Sequence, residues 1–291
     1  MKIVFHIGAN CTDEDRLLKS LLKNTDTFAE HGTMVPGPGR YRRLIRETIQ
    51  SLEDQQPDPD TCATLREEIL DGEAPDRVIL SNANFICVPN RIFEKGVFYD
   101  QAESKLRGLL SLFPDDEIEI CLALRDPATF VPEVYAKSKA VTFKAFMKGY
   151  HPALIRWSDL ISRIRNTAPQ CKLTVWCNED TPLLWPRLIR YLSGVPSDTT
   201  IDGGYDLLAS IMSTEGMTRM LAYMRSHPPK SDAHKHKIIA AFLDKYAIAE
   251  EMENVVDLPG TTEESLAELT ALYDEDVERI AQMEDVDLIL T

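Results

Sequence analysis

The chain has 291 residues, 44% of them hydrophobic and 27% charged, and carries a formal net charge of −15 at pH 7. Length and composition suit a globular protein with a sizeable core, and the acidic excess argues against non-specific binding to nucleic acid or to an anionic membrane surface. No stretch approaches the roughly 18 consecutive apolar residues of a membrane span, and the chain opens on a strand pattern rather than a basic segment and an apolar run, so no secretory signal is expected.

Lys2-Ile3-Val4-Phe5-His6-Ile7 reads as a short buried strand, followed by a turn at Gly8-Ala9-Asn10. Leu17, Leu18, Leu21 and Leu22 then share one helix face. Strand, tight turn and helix N-terminus is an arrangement that cradles anions on free backbone N–H groups. This turn, however, carries Cys11-Thr12-Asp13-Glu14-Asp15, with neither a lysine nor a second glycine. The three carboxylates suit a helix start and oppose a phosphate; they are read as mostly solvated, since a divalent cation needs oxygens from more than one segment.

Further strands are expected at Arg77-Val78-Ile79-Leu80-Ser81, at Glu119 to Leu124 and at Lys172 to Trp176. Amphipathic helices are expected over 40–54, 60–71, 101–113, 129–138, 152–167 and 182–193. The alternation predicts an α/β fold: a mostly parallel sheet flanked by helices on both faces. Ligands of such sheets bind beyond the carboxyl ends of the strands, so Asn10, Ser81 and Arg125 are expected to converge on one edge.

After Gly194-Val195-Pro196 the pattern is helical, over 205–225, 232–253 and 262–285, with no convincing strand. Pro228-Pro229 and Leu258-Pro259-Gly260 break it, and Thr261-Thr262-Glu263-Glu264 reads as an N-cap with an acidic first turn. The division is therefore a 1–195 core and a 196–291 C-terminal helical extension packing on the same domain. The six cysteines, Cys11, Cys62, Cys87, Cys121, Cys171 and Cys177, form no C-x-x-C pair; they are read as small buried residues of a reducing, cytoplasmic compartment, with no structural zinc.

Four of these segments, in order, resemble the bacterial sulfotransferases, a family with a P-loop-type fold that uses 3′-phosphoadenosine 5′-phosphosulfate (PAPS). They are His6-Ile7-Gly8 before a leucine-rich helix, the Val35-Pro36-Gly37 turn, Val78-Ile79-Leu80-Ser81, and Leu122-Ala123-Leu124-Arg125-Asp126-Pro127 with Tyr135. Leu269, Tyr273 and Asp276 echo a C-terminal helix of the family. The resemblance implies a PAPS or 3′-phosphoadenosine 5′-phosphate (PAP) site with Arg125, Ser81, Gly8 and Asn10 as nucleotide-binding residues.

Measured against that family, Cys11 stands where the phosphosulfate-binding lysine is found, and Asp13-Glu14-Asp15 replace Gly-Thr-Thr. Ala83 falls where a glutamate base often sits, and Glu133 replaces a serine that holds the 3′-phosphate. A lysine stabilises charge developing on the bridging oxygen as the sulfuryl group leaves; cysteine does not. The resemblance therefore implies a degenerate cofactor loop.

Arg40, Arg42, Arg43 and Arg46 lie near one helix start and form a second candidate, an anion patch, set against the plainer reading of a solvated face paired with nearby acids. His6 is read as a core histidine, and His234-Lys235-His236 as an exposed helix start rather than a metal site. Three functions stay open: a non-catalytic sulfotransferase-like binding or interaction module, whose acidic surface suits a basic partner or a homo-oligomer; an active PAPS-dependent sulfotransferase on an unknown acceptor; and another anion- or nucleotide-binding transferase built on the arginine helix.

Overall fold

The computed structural model describes residues 1–53, 55–249 and 261–291. The expected break at Leu258-Pro259-Gly260, the last residue of the 40–54 helix and residues 250–253 of the 232–253 helix lie outside them.

Six strands, β1 (Lys2–His6), β2 (Thr33–Met34), β3 (Arg77–Ser81), β4 (Glu117–Leu124), β5 (Lys172–Cys177) and β6 (Asp287–Ile289), form one sheet in the order β2-β3-β1-β4-β5-β6. Every pairing is parallel, with Phe5 opposite Leu80 on one side and Ile120 on the other. The fold is thus α/β, with helices on both faces of the sheet.

Strand alternation sends neighbouring residues to opposite faces. Ile3, Phe5, Val78, Leu80, Ile120, Leu122, Leu173 and Val175 join one core, with Tyr41 and Ile45 of the helix Pro38–Ser51, Leu106 and Leu109 of Ala102–Ser111, and Phe130 and Val134 of Pro127–Lys137. Val4, Ile79, Cys121, Ala123 and Trp176 join the other, with Leu17, Leu18 and Leu21 of Arg16–Leu22 and Leu184, Leu188 and Leu192 of Thr181–Ser193. Each fully buried side chain of this size contributes about 1.5–3 kcal/mol by leaving water. A third, smaller cluster ties Leu208, Ile211, Met220, Met224 and Ile239 together within the helices that follow residue 205.

The expected single helix over 205–225 is two, Asp206–Ile211 and Thr214–Ser226. Met212 breaks out to bridge Ala247, and the Ser213 hydroxyl then accepts from the Gly216 N–H to start the second helix. The 152–167 helix begins only at Trp157, after a short turn at Pro152–Leu154 and an extended link through Ile155 and Arg156. The expectation of no strand after residue 196 is overturned by β6, which pairs with β5 from Thr174↔Asp287 to Trp176↔Ile289.

The Glu263–Ile280 helix starts as expected, with a reciprocal Thr262–Ser265 capping box. It is tied to the core by two of the residues singled out in sequence. Asp276 is buried and accepts from the Ser158 N–H (3.1 Å) and hydroxyl, capping the helix Trp157–Thr167; Tyr273 donates to Glu179 (3.0 Å). Among the described residues, no helix is long and apolar enough to cross a membrane. All six cysteines are free thiols, and all but the half-buried Cys62 are buried.

Candidate functional site

The sheet order sets where a site can lie. After β1 the chain turns toward β2 on one side; after β4 it goes to β5 on the other. The helices that follow β1 and β4 accordingly join opposite cores. The crevice between the carboxyl ends of these two adjacent strands is the switch point at which parallel sheets bind ligands.

Beyond His6 the β1 chain keeps to β4: Ile7 donates to the Cys121 carbonyl (2.9 Å) and Ala9 to that of Ala123 (3.0 Å). Gly8 has φ +106°, and a Cβ there would stand 3.1 Å from the Ala83 Cα, so only glycine suits both the torsion and the approach of the loop after β3. The Asn10 side chain completes this seam. Its amide donates to Asn84 Oδ1 (3.0 Å) and the Cys87 carbonyl (3.3 Å), while its oxygen accepts from the Tyr99 hydroxyl (2.8 Å). Ser81 is buried at the end of β3, its hydroxyl 2.9 Å from His6 Nδ1 and its backbone bonded in both directions to the Tyr41 hydroxyl.

His6 is buried and stacks on Trp176, and its Nε2 has no hydrogen-bond partner among the described residues. Burial lowers its pKa; Asp13 and Asp15 act against that shift.

The loop from Cys11 to Asp15 holds three non-glycine residues at positive φ: Cys11 (57°), Glu14 (51°) and Asp15 (63°). Such backbone costs on the order of 1–3 kcal/mol per residue and persists only where its surroundings enforce it. Each of the three is held by a basic side chain from another element. Arg125 donates to the Cys11 carbonyl, Lys137 pairs with Glu14, and Arg42 grips Asp15 bidentately (2.6 and 2.8 Å). Asp13 is buried and caps the helix Arg16–Leu22 by accepting from the Leu17 N–H (3.0 Å). The expected solvated carboxylate run is therefore an anchored one. The partners of Glu14 and Asp15 come from distant segments and leave no mark in the local pattern, whereas Asp13 takes the helix-start role expected of it.

Arg125 is 6% exposed. Its guanidinium also meets Glu133, and its Nε donates to Thr129 Oγ1 (3.0 Å). Glu133 in turn meets Lys137 (3.0 Å), so Arg125, Glu133, Lys137 and Glu14 form a charge chain of alternating sign across the crevice. Burial pushes the Cys11 thiol up to about 11, with Lys137 pulling the other way. It is therefore a neutral thiol at pH 7.

A cavity of about 290 Å³ remains beside this chain, lined by Asp13, Arg16, Arg125 and Glu179 among others. Glu179, just past β5, is exposed overall, and its carboxylate accepts from the Asp126 N–H (2.9 Å) and Tyr273. Sequence reasoning missed Glu179, although the strand-end rule that selected Arg125 applies equally after Cys177. Asp15–Arg42 and Glu14–Lys137 carried no such signal, whereas Glu133 and Lys137 stand at helical i,i+4 spacing.

The arginine patch divides. Arg42 turns to Asp15 and the Ser81 carbonyl (2.9 and 2.8 Å), and Arg40 pairs with Asp71 (2.8 Å). Arg43 and Arg46 share Glu47, each at 3.3 Å. Elsewhere, Ser231 caps the helix Asp232–Tyr246 through the His234 N–H (3.1 Å), and His234 Nδ1 accepts from the Lys230 N–H (3.2 Å).

No protein-family model matches this sequence, and no curated protein does. Among solved structures the chain is similar to a retinol dehydratase in complex with androsterone and inactive cofactor PAP, with a TM-score of 0.33 and 13% identity over 99% of this chain and 82% of that one. At that score neither fold nor chemistry transfers across the likeness. What the crevice can do is decided by its own residues: Arg125, Arg42 and Lys137 already face carboxylates and carbonyls of the chain, while Arg16 lines the cavity with no ion pair among the described residues.

Proposed function

We propose that the chain is a sulfotransferase-like protein without sulfuryl transfer, acting as a non-catalytic binding or interaction module whose acidic surface suits a basic partner. The observation that carries this reading is the engagement of Arg125, the one cation in the resembling motifs suited to a 3′-phosphate. Its guanidinium is buried against Glu133 and the Cys11 carbonyl. A nucleotide phosphate would have to displace a carboxylate from it and enter a cavity that presents Asp13 and Glu179 alongside Arg16. Transfer further needs positive charge where the leaving oxygen develops its own. Cys11 supplies a neutral thiol there, and Lys137 is flanked by Glu14 and Glu133.

Isothermal titration with PAP tests the reading. The native protein is expected to show no saturable heat at millimolar nucleotide, and the double variant Cys11→Lys/Glu133→Ser to gain binding. Micromolar affinity in the native protein (about −8 kcal/mol), lost in Arg125→Ala, would overturn it in favour of a live cofactor site.

A further inference from the structure

Beyond β3, away from the crevice, lies a cavity of about 470 Å³. Five basic side chains line it, Arg42, Arg43, Arg46, Arg91 and Lys105, and among the described residues no acidic one does. The chain has 47 acidic residues against 32 lysines and arginines, so an unselected cavity would collect more carboxylates than cations. The reversal marks a local region of positive potential.

The walls are two packed helices. Arg43 and Arg46 belong to Pro38–Ser51, and Lys105 belongs to Ala102–Ser111. Gly108 lets the helices close on each other, since a Cβ there would stand 3.0 Å from Ile49 Cγ2. Arg42 is committed to Asp15, but Arg43 and Arg46 are loosely held. Arg43 and Arg46 share one exposed glutamate, and Arg91 pairs with Glu94 at 3.0 Å. The exposed pairs of Arg43 and Arg46 contribute little, while the Arg91 partner Glu94 is half-buried and also meets Lys148 (3.0 Å). Lys105 is half-buried and has no ion-pair partner among the described residues.

The loop after β3 adds neutral donors. Asn82 Oδ1 accepts from the Asn84 N–H (3.0 Å), and Asn84 Oδ1 accepts from Asn10 (3.0 Å). Both side-chain NH₂ groups thus remain as donors at the cavity wall. Ile45, Phe85 and Ile86 supply a buried apolar floor.

We propose that this cavity binds a small organic ester of phosphate or sulfate. The tetrahedral oxyanion is held by Arg43, Arg46, Arg91 and Lys105, and the organic part lies on Ile45 and Phe85. Guanidinium forks match the oxygens of either ester. A volume of about 470 Å³ lies in the range of small-molecule sites, roughly 300–1,000 Å³, and exceeds what a bare ion needs. The site stands apart from Arg125, so it does not depend on whether the crevice is closed.

Titration calorimetry with phenyl phosphate, phenyl sulfate and inorganic phosphate tests this. One or both esters should bind at least about tenfold more tightly than the inorganic ion, the better ester showing which oxyanion the site takes. Arg46→Ala and Lys105→Ala should each weaken ester binding by about tenfold, as expected for loss of one charge-assisted contact. Arg40→Ala, on the same helix but paired to Asp71, should leave it unchanged, as should Arg125→Ala, with thermal melts confirming that each variant folds. Three results would overturn the proposal: esters binding no better than inorganic phosphate, no effect of Lys105→Ala, or an equal loss in Arg40→Ala, which would indicate diffuse attraction. Loss confined to Arg125→Ala would place the ester in the crevice instead.

Discussion

The two cationic regions at the carboxyl end of the sheet use the same side chains in opposite ways. In the β1/β4 crevice Arg125, Lys137 and Arg42 reach from other elements to the Cys11–Asp15 loop, and each holds a residue at positive φ. In the cavity beyond β3, Arg42 apart, the cations meet the exposed Glu47 or the half-buried Glu94 or, at Lys105, no acid at all among the described residues. A basic residue near a strand end is therefore not in itself a ligand contact. What decides is whether the chain has already supplied its anion.

Stability measurements can break this comparison. The largest effect is expected for Arg125→Ala, which strips Glu133, the Cys11 carbonyl and Thr129 of a buried partner. Loss of one member of a buried pair costs about 3–5 kcal/mol, and the partial exposure of Glu133 puts the expected loss at the lower end, about 3 kcal/mol, read from urea unfolding. A loss under 1 kcal/mol would mean that the crevice cations do not hold the loop.

A smaller, pH-dependent effect belongs to His6, behind the same loop. The unfolded imidazole titrates near its ordinary 6.5, while burial holds the folded one lower. Below pH 6.5 the unfolded chain therefore takes up a proton that the folded chain does not, and stability falls as pH drops toward the folded value, with a limiting slope of about 1.4 kcal/mol per pH unit. His6→Gln should flatten this slope relative to the native protein between pH 7.5 and 5.5. Equal slopes would mean that the folded imidazole titrates normally.

The smallest effect sharpens the contrast from the other side. Lys105→Ala, which removes no ion pair among the described residues, should change stability by no more than about 0.5 kcal/mol. Its consequence should appear in ester binding alone. A large loss of stability would make Lys105 a structural residue and narrow the difference between the two regions.

How much of this was legible depended on strand length and on the range of the interactions. β1, β3, β4 and β5 are central strands buried on both faces, so they read as apolar runs such as Val78-Ile79-Leu80. β2 and β6 have two and three residues at the sheet's edges, too few to carry a period, and exist because a neighbouring strand pairs with them. The break at Met212 was missed because helical periodicity continues across it, although Ser213-Thr214-Glu215 offered a cap. The strand-end rule picked Asn10, Ser81 and Arg125, which stand just past β1, at the end of β3 and just past β4. The partners that neutralise the crevice, Asp15 with Arg42 and Glu14 with Lys137, are separated by whole elements, and only the folded chain brings them together.

The pairing of β6 with β5 carries a consequence for association between copies of this chain. Without Asp287–Ile289, the backbone N–H and C=O groups along Thr174–Trp176 would line an open parallel edge. Such an edge invites a strand from another molecule and is a starting point for aggregation. Ile289 is buried in one core and Leu288 packs against the other, so this strand replaces a longer open edge by a short, anchored one. Clipping Asp287–Ile289 should cost stability and expose the longer β5 edge to self-association, read as a lower melting temperature and a larger species in gel filtration.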